Sequence, residues 1–328
     1  MKKYLYIAIA AATLASCSQD EVMEMNQEAI AFGNPYIGNS TRAADKTYSG
    51  ETALTKFNVY GTVKGAGVST AVAIYNGNEV TGTVGANSVW TCEANKQYWI
   101  SGADYDFAAV VDADNVEVTN GMPSKLTYTT TATGSKDLLY AENLTPTVGE
   151  KVAFEFNHLL SKVWFTAKSN TADGYYYSIN NINIANFQDG TYYIKATDTK
   201  AAGTWEGGVS SNISFGNIEE VTNDSGAKTN TTQMLLIPNT STFNITFTVN
   251  LYFKKDATST AQLVETKNYT SPVEIDLQKG HSYNFNFDLT IGSEIKFTVA
   301  NNPTWTNGNT TDGDDDDTVF DHIPVTLQ

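Results

Sequence analysis

Alternation of apolar and polar residues with a period of two runs through much of this 328-residue chain. In residues 242–253 the apolar set consists of Phe243, Ile245, Phe247, Val249 and Leu251. Such a period places one set of side chains on a buried face and the other in solvent, as in a β-strand. The pattern recurs in residues 151–157, 281–289 and 295–299, and no 3.6-residue period follows residue 16. The sequence therefore predicts an all-β chain.

Turn residues separate the predicted strands and divide the chain. Asn-Gly and Asp-Gly pairs supply the positive φ that tight hairpins need, so two tandem antiparallel β-sandwich domains are the expected architecture. We place these domains at residues 43–148 and 149–305, with the boundary in the turn-rich residues 146–149. The last segment, residues 306–328, has no apolar side chain up to residue 318 and predicts an acidic linker there.

The amino terminus has the features of a secretory signal peptide, which we place at residues 1–16. Two lysines precede an apolar run at residues 4–12 that is too short to span a bilayer. The run leads into Leu14-Ala15-Ser16-Cys17, which resembles a bacterial lipobox. The resemblance implies that Cys17 becomes the first mature residue and carries lipid, such as palmitate. An ordinary cleaved signal with an incidental cysteine is the alternative.

The charge and the cysteine content of the chain limit its binding partners and its source of stability. The chain has 20 basic and 36 acidic residues, a net charge of -16, which repels nucleic acid phosphates. With Cys17 modified, Cys92 is the remaining thiol, so no intramolecular disulfide is expected. Stability must then come from a hydrophobic core, and no nucleic acid partner is predicted.

Candidate catalytic groups are few. His158, His281 and His322 each lie near apolar strand residues, where a structural or surface role is expected. For Cys92, a small core residue is favoured over a nucleophile. No metalloprotease, serine hydrolase or phosphate-loop motif is present. The acidic run at residues 312–317 lacks the closing Glu of an EF-hand loop, so a solvated linker is favoured over a calcium site. We therefore predict no enzyme activity, no cofactor and no metal.

Several short stretches, in order along the chain, carry a resemblance to a known family. They are residues 30–32 (IAF), 40–43 (STRA), 137–141 (DLLYA), 154–163 (FEFNHLLSKV), 234–238 (MLLIP), 280–285 (GHSYNF) and Trp305. Together they resemble the fimbrillin family of major fimbrial subunits, the lipoprotein-derived (type V) pilins of Bacteroidota-type Gram-negative bacteria. Residues 18–21 (SQDE) are also similar to an acidic signal that directs lipoproteins to the outer leaflet.

The resemblance implies two sandwich domains of transthyretin-like topology and a structural role in a fimbrium that supports adhesion. It implies an outer-membrane lipoprotein anchored through Cys17 and cut between Arg42 and Ala43 by an Arg-specific maturation protease. It further implies polymerisation with other fimbrial subunits, the same or related pilins, by strand exchange. A host or bacterial adhesion ligand is a further expected partner.

The propeptide, residues 17–42, contains the candidate strand for that exchange. Ile30, Phe32 and Tyr36 share one parity and are expected to face a core, whereas Gly33 and Pro35 fall on the other. Proline cannot donate to a sheet ladder and is typical of an edge. The hypothesis is a removable edge strand that fills a groove in the amino-terminal domain.

The candidate donor strand is at the carboxyl terminus, in residues 319–328, here called the tail. Val319, Ile323, Val325 and Leu327 share a parity, interrupted by Asp321. β-Strand addition would supply ladder hydrogen bonds and pockets for alternate side chains. A disordered tail with chance alternation is the alternative.

A surface-anchored lipoprotein that binds glycans or another ligand without polymerising is the second functional hypothesis. Sandwich folds serve both functions, so architecture does not separate them. Arg42 next to the candidate strand favours the fimbrial hypothesis, because a permanently anchored binder has no use for a cleavage site there.

Overall fold

The computed structural model of the protein describes residues 28–38, 54–83, 89–131, 136–223, 226–229, 232–291, 295–302 and 326–327. Within these residues the chain forms β-strands, one short 3₁₀ helix at Glu93–Asn95 and no α-helix. The all-β prediction is confirmed. Thr, Asn and Tyr, which are common here, suit the solvated faces of sheets and disfavour helices.

The strands of the amino-terminal half are β1 (Tyr36–Gly38), β2 (Lys56–Lys64), β3 (Val72–Thr81), β4 (Asp104–Val111), β5 (Asn115–Thr119), β6 (Met122–Thr129), β7 (Leu139–Asn143) and β8 (Glu155–His158). Those of the carboxyl-terminal half are β9 (Ser161–Asn170), β10 (Tyr175–Phe187), β11 (Asp189–Tyr193), β12 (Thr204–Gly207), β13 (Ser210–Val221), β14 (Lys228–Thr229), β15 (Met234–Leu236), β16 (Phe243–Phe253), β17 (Gln262–Val273), β18 (Ser282–Thr290), β19 (Lys296–Asn302) and β20 (Thr326–Leu327).

The amino-terminal half is built on a six-stranded sheet in the order β1-β8-β7-β4-β2-β3. One face of this sheet packs on an aromatic core that includes Phe57, Tyr75, Phe107, Phe154 and Phe156. Residues 90–99 flank this core, and Trp90 and Trp99 are buried in it, as is Tyr105 of β4. This core is the one that contains the amino-terminal segment described below.

The carboxyl-terminal half is a sandwich of two sheets around a second core. One sheet has the order β14-β9-β18-β19, with β15 beside β9, and the other has the order β13-β10-β16-β17-β20. The apolar set predicted from residues 242–253 is buried along β16, from Phe243 to Leu251. Phe247 and Phe287 meet edge to face across this core, with ring centroids 4.8 Å apart.

Two strand pairs depart from the antiparallel arrangement expected from the sequence. β1 runs parallel to β8, and β9 runs parallel to β18. Each pair joins strands that are far apart in the chain, and parallel neighbours require such long connections. Turn sequences such as Asn-Gly indicate only that two consecutive strands pair, so they do not predict pairs of strands that are distant in the chain.

A four-stranded sheet, β12-β11-β6-β5, connects the two halves. β6 belongs to the amino-terminal half, and its residues 125–129 pair with the whole of β11 in the carboxyl-terminal half. Behind this sheet lies a third core that includes Leu126, Tyr140, Leu160 and Ile237. The halves therefore share hydrogen bonds and apolar packing.

The sheet pairing also places the division of the chain later than residues 146–149. β8 pairs with β1 and β7 of the first sheet, and Phe154 and Phe156 are buried in the first core. Residues up to His158 thus belong to the amino-terminal sheet, and the chain enters the second sandwich with β9. The turn at Gly149, where φ is positive, only reverses the chain between two strands of the same domain.

Candidate functional site

The amino-terminal segment, residues 28–38, lies inside the amino-terminal domain, and we call it the plug segment. Residues 29–33 form backbone hydrogen bonds on both sides, with residues 90–99 on one flank and with Val152 on the other. The predicted edge position therefore holds only for β1, which is the outer strand of the six-stranded sheet. The rest of the plug segment fills a groove between two flanking segments.

The first flank runs antiparallel to the plug segment. Phe32 and Trp90 exchange two backbone hydrogen bonds, with N···O distances of 3.0 Å and 3.2 Å. The amide of Ile30 donates to the carbonyl of Gln97 at 2.9 Å, and the amide of Trp99 donates to the carbonyl of Glu28 at 3.0 Å. No feature of the sequence pattern pointed to these flanking residues.

The second flank runs parallel to the plug segment and continues into β8. The amide of Val152 donates to the carbonyl of Ala31, and the amide of Gly33 donates to the carbonyl of Val152, both at 2.9 Å. The amide of Tyr36 donates to the carbonyl of Phe154 at 3.0 Å, and β1 then pairs with β8 from Glu155 onward. The alternation at residues 151–157 indicated this strand but assigned it to the wrong domain.

Two side chains in the first half of the plug segment are buried in the core. Phe32 is 0% exposed and Ile30 is 4% exposed. The Phe32 ring stacks on Phe154, with centroids 5.9 Å apart, and meets Phe57, Tyr75 and Phe107 edge on or nearly so at 5.9–6.2 Å. Phe32 therefore lies at the centre of the aromatic cluster rather than at its border.

The expectation that Tyr36 faces the core is wrong. Its side chain is 38% exposed, whereas Pro35 is buried and Ile37 packs against the core. Phe32 pairs with Val152, and Tyr36 pairs with Glu155. The plug segment therefore advances four residues between these two pairs, whereas its partner strand advances three. An extra residue of this kind is a bulge, and it reverses which parity faces inward.

Polar contacts and a thiol complete the groove. The Trp90 indole Nε1 donates to Oδ1 of Asn34 at 3.3 Å. Cys92 is 4% exposed and belongs to the same core cluster as Ile30 and Phe32. Burial raises the pKa of the Cys92 thiol, which makes the thiol less reactive in this state.

The remaining predicted site residues are placed only in part. Leu327 lies in β20, whose backbone pairs with Tyr269 and Thr270 at the edge of the second sandwich. Cys17, Arg42, Ala43, Val319, Ile323 and Val325 lie outside the described residues. The acidic run at residues 312–317 lies outside them as well.

Other chemistry is sparse in the part of the chain that the structure describes. His158 Nδ1 lies 2.9 Å from a carboxylate oxygen of Asp137, and both side chains are largely buried. No group of three or more His, Cys, Asp or Glu side chains within the described ranges is placed to hold a metal ion. Among those same residues, no helix has the length and apolarity that crossing a membrane requires.

Comparison with known proteins agrees with this architecture. A Bacteroides vulgatus fimbrial protein of known structure superposes with a TM-score of 0.54 at 14% identity, covering 76% of this chain and 93% of its own. A candidate cell adhesion protein from Bacteroides uniformis gives a TM-score of 0.50 at 18% identity, with 86% and 98% covered. These likenesses show the fold.

No curated protein matches the chain. The sequence pattern that defines the fimbrillin-like family, in contrast, matches residues 41–303, which is most of the chain. The chain belongs to the fimbrillin-like family.

Proposed function

We propose that the protein is a structural fimbrial subunit in which a neighbouring subunit's tail replaces the plug segment. In this proposal it is exported as a lipoprotein on Cys17, cut after Arg42 by an Arg-specific protease and assembled into a surface fimbrium that supports adhesion. The observation that carries the proposal is the position of Phe32. A side chain at the centre of the core belongs to a segment that one cut at Arg42 separates from the rest of the chain.

Loss of the plug segment would leave the domain with two kinds of unsatisfied surface. The amides of Trp90, Trp99 and Val152 would lose their acceptors, and an unsatisfied buried donor costs about 1–3 kcal/mol. The aromatic pocket of Phe32 would also open to water. Unpaired backbone beside an apolar pocket is a template for another strand. Cleavage would thus convert a stable precursor into a subunit that requires a partner strand.

A ligand-binding role is the second candidate, and one observation favours it. The loops at residues 171–174 and 254–257 border an open cleft lined by Tyr175, Tyr176, Lys228, Lys254 and Lys255. Asp173, Glu220 and Asp256 line the same cleft and balance the charge of the lysines, so aromatic rings beside polar groups are suited to a neutral glycan. This role is compatible with a fimbrial subunit that also adheres, but it does not require cleavage or polymerisation.

Controlled proteolysis tests the proposed function. The lipid-free precursor is incubated with an Arg-specific protease, and mass and oligomer size are followed. We expect a cut between Arg42 and Ala43, release of residues 17–42 and growth of oligomers. The Arg42→Gln precursor is the matched control and should remain uncut and monomeric. A wild-type subunit that is cut at Arg42 and stays a stable monomer contradicts polymerisation by strand exchange.

The thiol of Cys92 provides a reporter for the groove. We expect slow alkylation by iodoacetamide in the precursor, because Cys92 is buried in the core that the plug segment completes. The rate should rise at least tenfold in the cleaved, unassembled subunit and fall again in the polymer. Mass spectrometry of the Cys92 peptide measures each rate. Equal rates in all three forms would show that the core does not open.

A further inference from the structure

The pattern of buried residues in the plug segment defines the strand that the groove accepts. Phe32, Pro35 and Ile37 face inward, separated by three and then two positions, and Ile30 does so two positions before Phe32. Gly33 and Asn34, between the first two, are only partly buried. The bulge is the reason for this spacing, so a strand of simple alternation does not reproduce it.

The tail contains the same spacing with similar chemistry. Phe320, Ile323 and Val325 are separated by three and then two positions, and the polar pair Asp321 and His322 lies between the first two. We infer, given the proposed function, that a second copy's tail enters the groove in the direction of the plug segment with Phe320 in the place of Phe32. Ile323 and Val325 then take the places of Pro35 and Ile37, and Thr318 takes the place of Ile30. Pro324 takes the place of Tyr36, so the hydrogen bond from the Tyr36 amide to the carbonyl of Phe154 is given up.

The neighbouring registers fit worse. Sliding the tail by one residue so that the two prolines coincide puts Asp321 into the aromatic pocket of Phe32, where an unpaired carboxylate is strongly disfavoured. Sliding it the other way puts Val319 into that pocket and His322 into the buried position of Pro35. The reversed direction that keeps the spacing puts Ile323 into the pocket of Phe32 and Phe320 at Pro35, a smaller position. Only the register with Phe320 at Phe32 matches a ring to a ring.

This register revises the parity that alternation alone predicts for the tail. Val319 moves to the outer face, and Asp321 no longer interrupts an apolar row. His322 takes the position of Asn34, whose side chain accepts from the Trp90 indole in the precursor. A neutral imidazole has one acceptor nitrogen and can accept the same hydrogen bond. The contacts of β20 with β17 would be given up on exchange.

Disulfide trapping tests the register. Gly38 pairs with Asn157, an exposed residue of β8, so the inferred register brings Thr326 of the incoming tail opposite Asn157. Three variants carry Asn157→Cys together with Val325→Cys, Thr326→Cys or Leu327→Cys, in a Cys92→Ala background that must itself polymerise. We expect oxidised polymers of the Thr326→Cys variant to cross-link between subunits at least tenfold more than the others.

The outcomes separate the register from the function. Cross-linking that is strongest in the Val325→Cys or Leu327→Cys variant overturns the register while leaving tail exchange intact. Polymers that form with no cross-link in any variant overturn the register and also contradict the proposed role of the tail.

A second measurement compares Phe320→Ala with Val319→Ala. Subunits should dissociate on the order of 100-fold faster in the first and within about twofold of wild type in the second. The reverse order overturns the inference.

Discussion

Replacing Phe32 with alanine is expected to lower the free energy of unfolding of the uncut precursor by about 3–5 kcal/mol. The ring is fully buried and meets four other aromatic rings, so its removal leaves a cavity that the surrounding rings cannot fill. Urea denaturation of the lipid-free precursor, followed by tryptophan fluorescence, measures the change.

Tyr36→Ala is the matched control, because Tyr36 lies in the same segment with its side chain exposed. Its effect should stay within about 1 kcal/mol. Polymers assembled from either cut variant should be as stable as wild-type polymers, since the proposed exchange removes the plug segment from them. A Phe32→Ala precursor no less stable than the Tyr36→Ala precursor would contradict the role of the plug segment in the core.

Deleting residues 319–328 is expected to abolish polymer growth after cleavage and to leave the subunit folded. The folded subunit uses this part of the chain, within the residues described, only for the short pairing of β20 with β17. The deletion, in contrast, removes the whole strand that we propose to join one subunit to the next. Size-exclusion chromatography of the cut variant should show monomers where the wild type shows high oligomers.

A variant with the residues of the tail in shuffled order is the control for length and charge. It should fail to polymerise as the deletion does, and a synthetic peptide of residues 318–328 should bind the cut deletion variant with one-to-one stoichiometry. Polymers of unchanged yield from the deletion variant would exclude the tail as the donor strand.

The sequence pattern showed where strands lie better than it showed which strands pair with one another in a sheet. Alternation located β16 and its buried face, because every second side chain of a strand in a sandwich is apolar and faces the core. The same reasoning identified Ile30 and Phe32 as inward-facing, and the structure buries both. Local periodicity is enough where the backbone is regular.

The misplaced features depend on information that is not local. One extra residue near Pro35 reversed the parity and turned Tyr36 outward, and nothing in the composition of the segment shows where a bulge falls. The flank at Trp90 and Trp99 has no alternation that would mark it as a partner of the plug segment. The turn before Val152 was interpreted as a domain boundary because a turn within a domain and one between domains look alike in sequence.

Hydrogen–deuterium exchange on the two flanks tests the central claim most directly. The amides of Trp90, Trp99 and Val152 donate to carbonyls of the plug segment, so they report whether a strand occupies the groove. We expect slow exchange in the precursor, fast exchange in the cut and unassembled subunit, and slow exchange again in the polymer. Flanks that stay protected in the cut subunit, or unprotected in the polymer, would contradict replacement of one strand by another.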